Sequence, residues 1–77
     1  MPRDFRLYLD DILGSCRKIR QFTQGMSFEE FGSDLKTQDA VIRNFEVIGE
    51  AARRLPSEIK SRFAGIEWPK IIGFRNI

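Results

Sequence analysis

The chain has 77 residues, a formal net charge of +2, one cysteine and no histidine. So short a chain makes one domain, residues 1–77, with little surface to bury and little stability to spare. Cys16 alone closes no intramolecular disulfide, and without histidine a Cys/His zinc site and imidazole catalysis by these residues are excluded.

The first periodic segment runs from about Asp4 to Gln24. Phe5, Leu9, Ile12, Cys16 and Ile19 follow one another at spacings of 4, 3, 4 and 3, the apolar seam of an amphipathic helix. On that seam Cys16 reads as a small buried hydrophobe, not a nucleophile. Gly25 is placed to end the helix. Ser27 followed by Glu30 is a capping box and predicts one short helical turn, tucked in by Phe28 and Phe31. A second long helix begins between Ser33 and Gln38 and runs to about Leu55. Val41, Phe45, Ile48, Ala52 and Leu55 repeat the 4, 3, 4, 3 spacing, and Pro56 ends it. Asp39/Arg43 and Glu50/Arg54 are i,i+4 pairs with the acid in the better, N-terminal place. Ser57 is expected to cap a third helix reaching about Phe63, with a Glu58/Arg62 pair. Trp68-Pro69 opens a fourth, with proline at the first position, where its missing N–H costs nothing. No stop signal follows Pro69-Lys70-Ile71-Ile72-Gly73-Phe74-Arg75-Asn76-Ile77, so the chain is expected to end inside this helix. No period-2 alternation competes. The fold class is all-α: two long antiparallel helices with shorter helices against them.

Chemistry is sparse along this frame. Asp10-Asp11 is no metal pair, since adjacent helical residues point apart, and no phosphate-cradling glycine loop is present. No metal and no cofactor is expected. No stretch approaches the roughly 20 apolar residues that span a bilayer, and the lone cysteine suits a reducing cytoplasm. The bases fall into Arg17/Lys18/Arg20, Arg53/Arg54, Lys60/Arg62 and Lys70/Arg75, which read either as solvated faces or as a phosphate-contacting surface. Gly49, Ala51 and Ala52 let another helix approach closely. Packing within the chain and a dimer interface through Gly49 and Ala52 both stay open.

Three segments read together carry a resemblance: Ala40-Val41-Ile42-Arg43-Asn44-Phe45-Glu46-Val47-Ile48-Gly49-Glu50-Ala51-Ala52, then Leu55-Pro56, then Trp68 to Ile77. In that order and spacing they resemble the HepT-like proteins of the HEPN superfamily, and Tyr8-Leu9-Asp10-Asp11-Ile12 fits that family's opening. The resemblance implies an up-and-down helical bundle that forms homodimers. A last helix cut short should also leave part of the apolar seam of the two long helices uncovered, so a dimer or higher oligomer is expected. It also implies a toxin that is a metal-independent ribonuclease, paired with a nucleotidyltransferase antitoxin of the MNT type. The family's motif is an arginine, then a histidine four to six residues on, any residue, and a tyrosine, on which the antitoxin attaches AMP.

Arg75 matches the motif arginine and Asn76 the polar residue after it; these two are the candidate catalytic residues. The motif histidine and tyrosine would fall beyond Ile77, and Tyr8 does not match the modified tyrosine. The resemblance therefore implies a C-terminally shortened, inactive toxin domain. Arg75, Lys70, Arg53 and Arg54 would contact RNA phosphates, with Arg75 unable to replace the imidazole because it stays protonated. The alternative is a non-catalytic helical module that dimerises or binds a nucleotidyltransferase. Generic nucleic-acid binding through the basic clusters is the third reading.

Overall fold

A computed structural model describes residues 3–76. Among the described residues every regular element is helical: α1 (Phe5–Thr23), α2 (Phe28–Ser33), α3 (Leu35–Arg54), α4 (Ser57–Arg62), α5 (Trp68–Ile72) and a closing 3-10 turn (Gly73–Asn76). The all-α class read from the sequence is the observed one.

Local chemistry explains where most elements start and stop. The Asp4 carboxylate accepts the Arg6 N–H at 2.9 Å and opens α1. Gly25 closes the segment with φ +73°, a left-handed conformation that glycine adopts without strain. The capping box of α2 forms as expected: Glu30 N–H donates to Ser27 Oγ at 3.0 Å and Ser27 N–H to Glu30 Oε1 at 3.2 Å. Asp34 caps α3 by accepting from the Thr37 N–H at 3.0 Å and its hydroxyl at 2.8 Å. Trp68 ties α5 back to α4, its indole N–H donating to the Lys60 and Phe63 carbonyls at 3.1 and 3.2 Å.

The architecture turns on α3. It packs against α1 on one side and against α5 and the 3-10 turn on another. Val41, Ile48, Ala51, Ala52 and Leu55, along α3 and at its end, form the core with Ile59 from α4. No large side chain in it is fully enclosed, as expected for so small a domain. Phe45 pins the last turn by a tilted ring contact with Phe74, centroids 5.1 Å apart.

Several expectations are corrected. The apolar seam of α1 is half-buried at Phe5, Leu9, Ile12 and Ile19, not enclosed. The only buried residue of that helix is Ser15, which shares the interface with the buried Asn44. Leu9, Ile12 and Cys16 instead line an open, almost wholly apolar groove of about 570 Å3, completed by Phe45, Trp68 and Phe74. Cys16 is thus exposed, not a core residue. Phe28 is 89 % exposed and tucks nothing in. Ser57 lies inside α4, whose start carries no side-chain cap. The expected Asp39/Arg43 and Glu58/Arg62 pairs do not form among the described residues, whereas Glu50/Arg54 does. The last helix tightens to 3-10 after Ile72 instead of continuing as α-helix; how it stands at Ile77 lies outside the described residues.

Among the glycines, only Gly49 has other atoms close to where a β-carbon would stand. A β-carbon built there would stand 2.5 Å from the Arg75 amide nitrogen, 3.0 Å from the Ile72 carbonyl oxygen and 3.1 Å from that of Ile71. All three are backbone atoms, which have no rotamer with which to yield. Gly49→Ala is therefore expected to destabilise the domain by about 1–3 kcal/mol through overpacking, despite alanine's better helix propensity. Gly14→Ala in α1, with open space around its β-carbon, is expected to gain up to about 1 kcal/mol. Urea denaturation of the two variants checks both signs.

Candidate functional site

Three residues on the last two turns of α3 share one face by helical spacing: Glu50, Arg53 and Arg54, at i, i+3 and i+4. Arg53 Nη2 donates to Glu50 Oε1 at 2.7 Å and its Nε to Oε2 at 3.3 Å. Arg54 Nε donates to Glu50 Oε1 at 2.9 Å. The 3-10 turn then brings Arg75 to the same carboxylate, Nη1 to Oε2 at 3.7 Å. Three guanidinium groups so converge on one acid, leaving a local excess of two positive charges. The side chains of Arg53, Arg54 and Arg75 are 43 %, 53 % and 40 % exposed, so their remaining N–H donors face water.

Arg75 reaches this place because Gly49 lets its backbone press onto α3. Gly49 is buried against the last segment of the same chain, and Ala52 is buried with no exposed surface at all. Of the two readings left open for these residues, packing within the chain accounts for their burial here. Lys70 stands apart from the cluster and pairs with Glu67 at 2.7 Å. Asn76, next to Arg75 on the 3-10 turn, is exposed.

Glu50 and Arg54 also edge a cleft of about 330 Å3 between α1 and α3, with Arg3, Tyr8, Arg43 and Glu46. There the Arg3 guanidinium lies 4.9 Å from the centre of the Tyr8 ring and bonds Asp11 at 2.8 Å. The N-terminal bases Arg17 and Arg20 border a separate depression at the far end of α1. Among the described residues no three histidine, cysteine, aspartate or glutamate side chains gather as a metal site would require, and no helix is long and apolar enough to cross a membrane.

What the arrangement offers chemically is anion binding. Guanidinium forks match the geometry of phosphate oxygens and stay charged at any ordinary pH. Sequence reasoning picked out the three arginines but took Glu50 only as the partner of Arg54. Its i,i+3 and i,i+4 spacing to two arginines was the local signal for a hub. The addition of Arg75 had none.

Fold and cluster together define a small all-α domain that displays guanidinium groups where its longest helix meets its last. The chain belongs to the ribonuclease HepT-like family, whose profile matches residues 12–77. It is 43 % identical over 77 residues to a candidate RNase of Methanocaldococcus jannaschii, covering 99 % of this chain and 64 % of that protein. A second candidate RNase of the same organism is 36 % identical over 75 residues, 97 % of this chain and 69 % of the relative. A probable ribonuclease HepT of Thermococcus cleftensis is 40 % identical over 76 residues, 99 % and 69 % of the two chains. The chain thus spans about two thirds of the length of these curated relatives. No solved structure matches.

The cluster has an acid signature. Hydrogen bonds from Arg53, and after it Arg54, hold the Glu50 carboxyl at about 2 instead of the usual 4.5. Asp4, bonded by the Arg6 side chain and then its N–H, likewise falls from 3.8 to about 2. Both are lowered in the folded state, so their stabilisation is complete above the ordinary carboxylate range and drains away as pH falls from about 4.5 to about 2. Melting temperature should decline across that window. Glu50→Gln and Asp4→Asn should each flatten the decline, as thermal scans at stepped pH will record.

Proposed function

We propose that this chain is the RNA-binding domain of a HepT-type toxin and that Arg75, Arg53 and Arg54 hold a phosphodiester of RNA. The observation that carries this reading is the convergence of Arg75 on Arg53 and Arg54, residues far apart in sequence, around a single carboxylate at the surface. Membership of a ribonuclease family supplies the substrate class. The chain carries no histidine. Arginine grips a phosphate but does not take a proton from a 2′-hydroxyl near neutral pH, so these 77 residues bind RNA without cleaving it.

In this reading the protein is cytoplasmic and belongs to a toxin–antitoxin pair, with a nucleotidyltransferase of the MNT type as its partner. A second reading, a non-catalytic dimerising module, is favoured by one feature, the uncovered apolar groove between α1 and α5. An apolar surface of that kind tends to be covered in solution. Sedimentation at micromolar concentration is expected to show a dimer or larger species, and a stable monomer would remove this reading.

The RNA reading is checked by fluorescence anisotropy with a single-stranded RNA oligonucleotide across a range of salt. Three phosphate contacts should give a slope of log K against log salt near −2, from about −0.7 per contact on a single strand. Arg75→Ala should weaken binding and reduce that slope by about 0.7. Lys70→Ala, whose ammonium is already paired with Glu67, should do less. A flat salt response, or no binding at low salt, would overturn the assignment.

A further inference from the structure

The Glu50 carboxylate stands where a bound anion would stand. Both its oxygens are engaged, Oε1 by Arg53 and Arg54 and Oε2 by Arg53 and Arg75. Its hold on the three arginines is unequal. Arg53 and Arg54 approach to 2.7 and 2.9 Å, within hydrogen-bond distance, while Arg75 remains at 3.7 Å, an ion pair without a hydrogen bond. The three partners also differ in their attachment. Arg53 and Arg54 rise from the same helix as Glu50, so their pairing is local. Arg75 comes from the 3-10 turn and is the one partner the tertiary fold delivers. Without the acid, three guanidinium groups in so small a space would repel one another and spread into water. With it, Arg75 is the partner most readily given up, because its contact is the longest.

We propose that Glu50 is an internal charge clasp. In the RNA-free chain it gathers Arg53, Arg54 and Arg75 by standing in for a phosphate, and an RNA phosphodiester takes Arg75 from it on binding. Glu50 is thus a positioning residue that acts through Arg75, and its carboxylate competes with the ligand it prepares the site for. The proposal rests on the RNA-phosphate reading of the same cluster. It adds an acid that the reading itself does not need. The carboxylate remains ionised through the neutral range, so the competition is set by geometry and salt, not by pH.

The test is a double-mutant cycle on RNA affinity. Glu50→Gln removes the charge and keeps the shape. It is expected to tighten single-stranded RNA binding roughly two- to five-fold, the size of one exposed ion pair released. The gain should vanish when Arg75→Ala is already present. Glu46→Gln, one turn earlier on α3, removes an equal charge from the neighbouring cleft, and its effect should be independent of Arg75. An equal gain from Glu50→Gln with and without Arg75 would reduce the effect to bulk charge and overturn the proposal. So would weaker or unchanged binding.

A second measurement needs no RNA. In 15N relaxation spectra the Arg75 Nε–Hε signal should report an ordered side chain in the native protein at low salt and a mobile one in Glu50→Gln. An Arg75 signal equally ordered in both proteins overturns the clasp. Should no variant bind RNA while the Arg75 signal still loosens in Glu50→Gln, the RNA reading falls and the intramolecular gathering of the arginines stands. The two failures are distinct.

Discussion

The absence of one side chain, at Gly49, governs the rest of this small domain. A helix of ordinary side chains keeps its neighbour at 8–10 Å between axes. At Gly49 the backbone of the last segment comes closer than a β-carbon would permit, against the Arg75 nitrogen and the carbonyls of Ile71 and Ile72. The Phe45–Phe74 ring contact extends the same contact along α3. A glycine in mid-helix ordinarily costs stability. Here it returns that cost by admitting a segment that covers part of the core and carries an arginine to the surface.

The electrostatics follow from that placement. Glu50 is next to Gly49 in sequence, about 100° further round the helix. A segment seated on Gly49 therefore emerges beside Glu50, and an arginine on it meets whatever Glu50 already holds. Arg53 and Arg54 lie at the C-terminal end of α3, where the helix dipole favours cations. The cluster combines a helix end that tolerates positive charge, an acid that binds the cations together, and a third cation supplied by the fold. Each pair is exposed and worth little to stability by itself. Their joint effect is to organise donors toward solvent, which a binding surface needs and a folding core does not.

Much of the fold was legible in the sequence because its signals are local. Pro56 placed the end of α3 to within a residue, and its start at Leu35 falls inside the expected window from Ser33 to Gln38. Ser27 and Glu30 announced their capping box, and Trp68-Pro69 opened α5 where expected. What escaped was the depth of burial. The row Phe5, Leu9, Ile12, Cys16 and Ile19 marks the apolar side of α1, but the row stays part open, and Ser15 beside it is the buried residue. Hydropathy alone does not register how closely two helices approach. The change to 3-10 after Ile72 was equally hidden, since it depends on how the last segment settles on α3. The site was half legible. Arg75 and Asn76 were singled out through the family's motif, and Arg53 and Arg54 by charge, but their meeting is a tertiary fact. Lys70 shares their charge and not their place.

The same helix that brings the arginines together also separates the two surfaces on which the competing functional readings rest. Ser15 and Asn44 lie at the α1 contact, while Gly49 sets the contact with the last segment. Glu50, Arg53 and Arg54 remain on an open sector between packed ones. The apolar groove is lined by α1, by Phe45 and Ile48 of α3, and by Ile71 and Phe74 of the last segment, Phe74 being next to Arg75 in sequence. An apolar occupant of the groove and a phosphate at the cluster would therefore both touch one short segment, residues 71–75. The RNA-binding and partner-binding readings need not exclude each other, because α3 presents them on different faces. What they share is the seat at Gly49, which holds the segment that carries both Phe74 and Arg75 against α3.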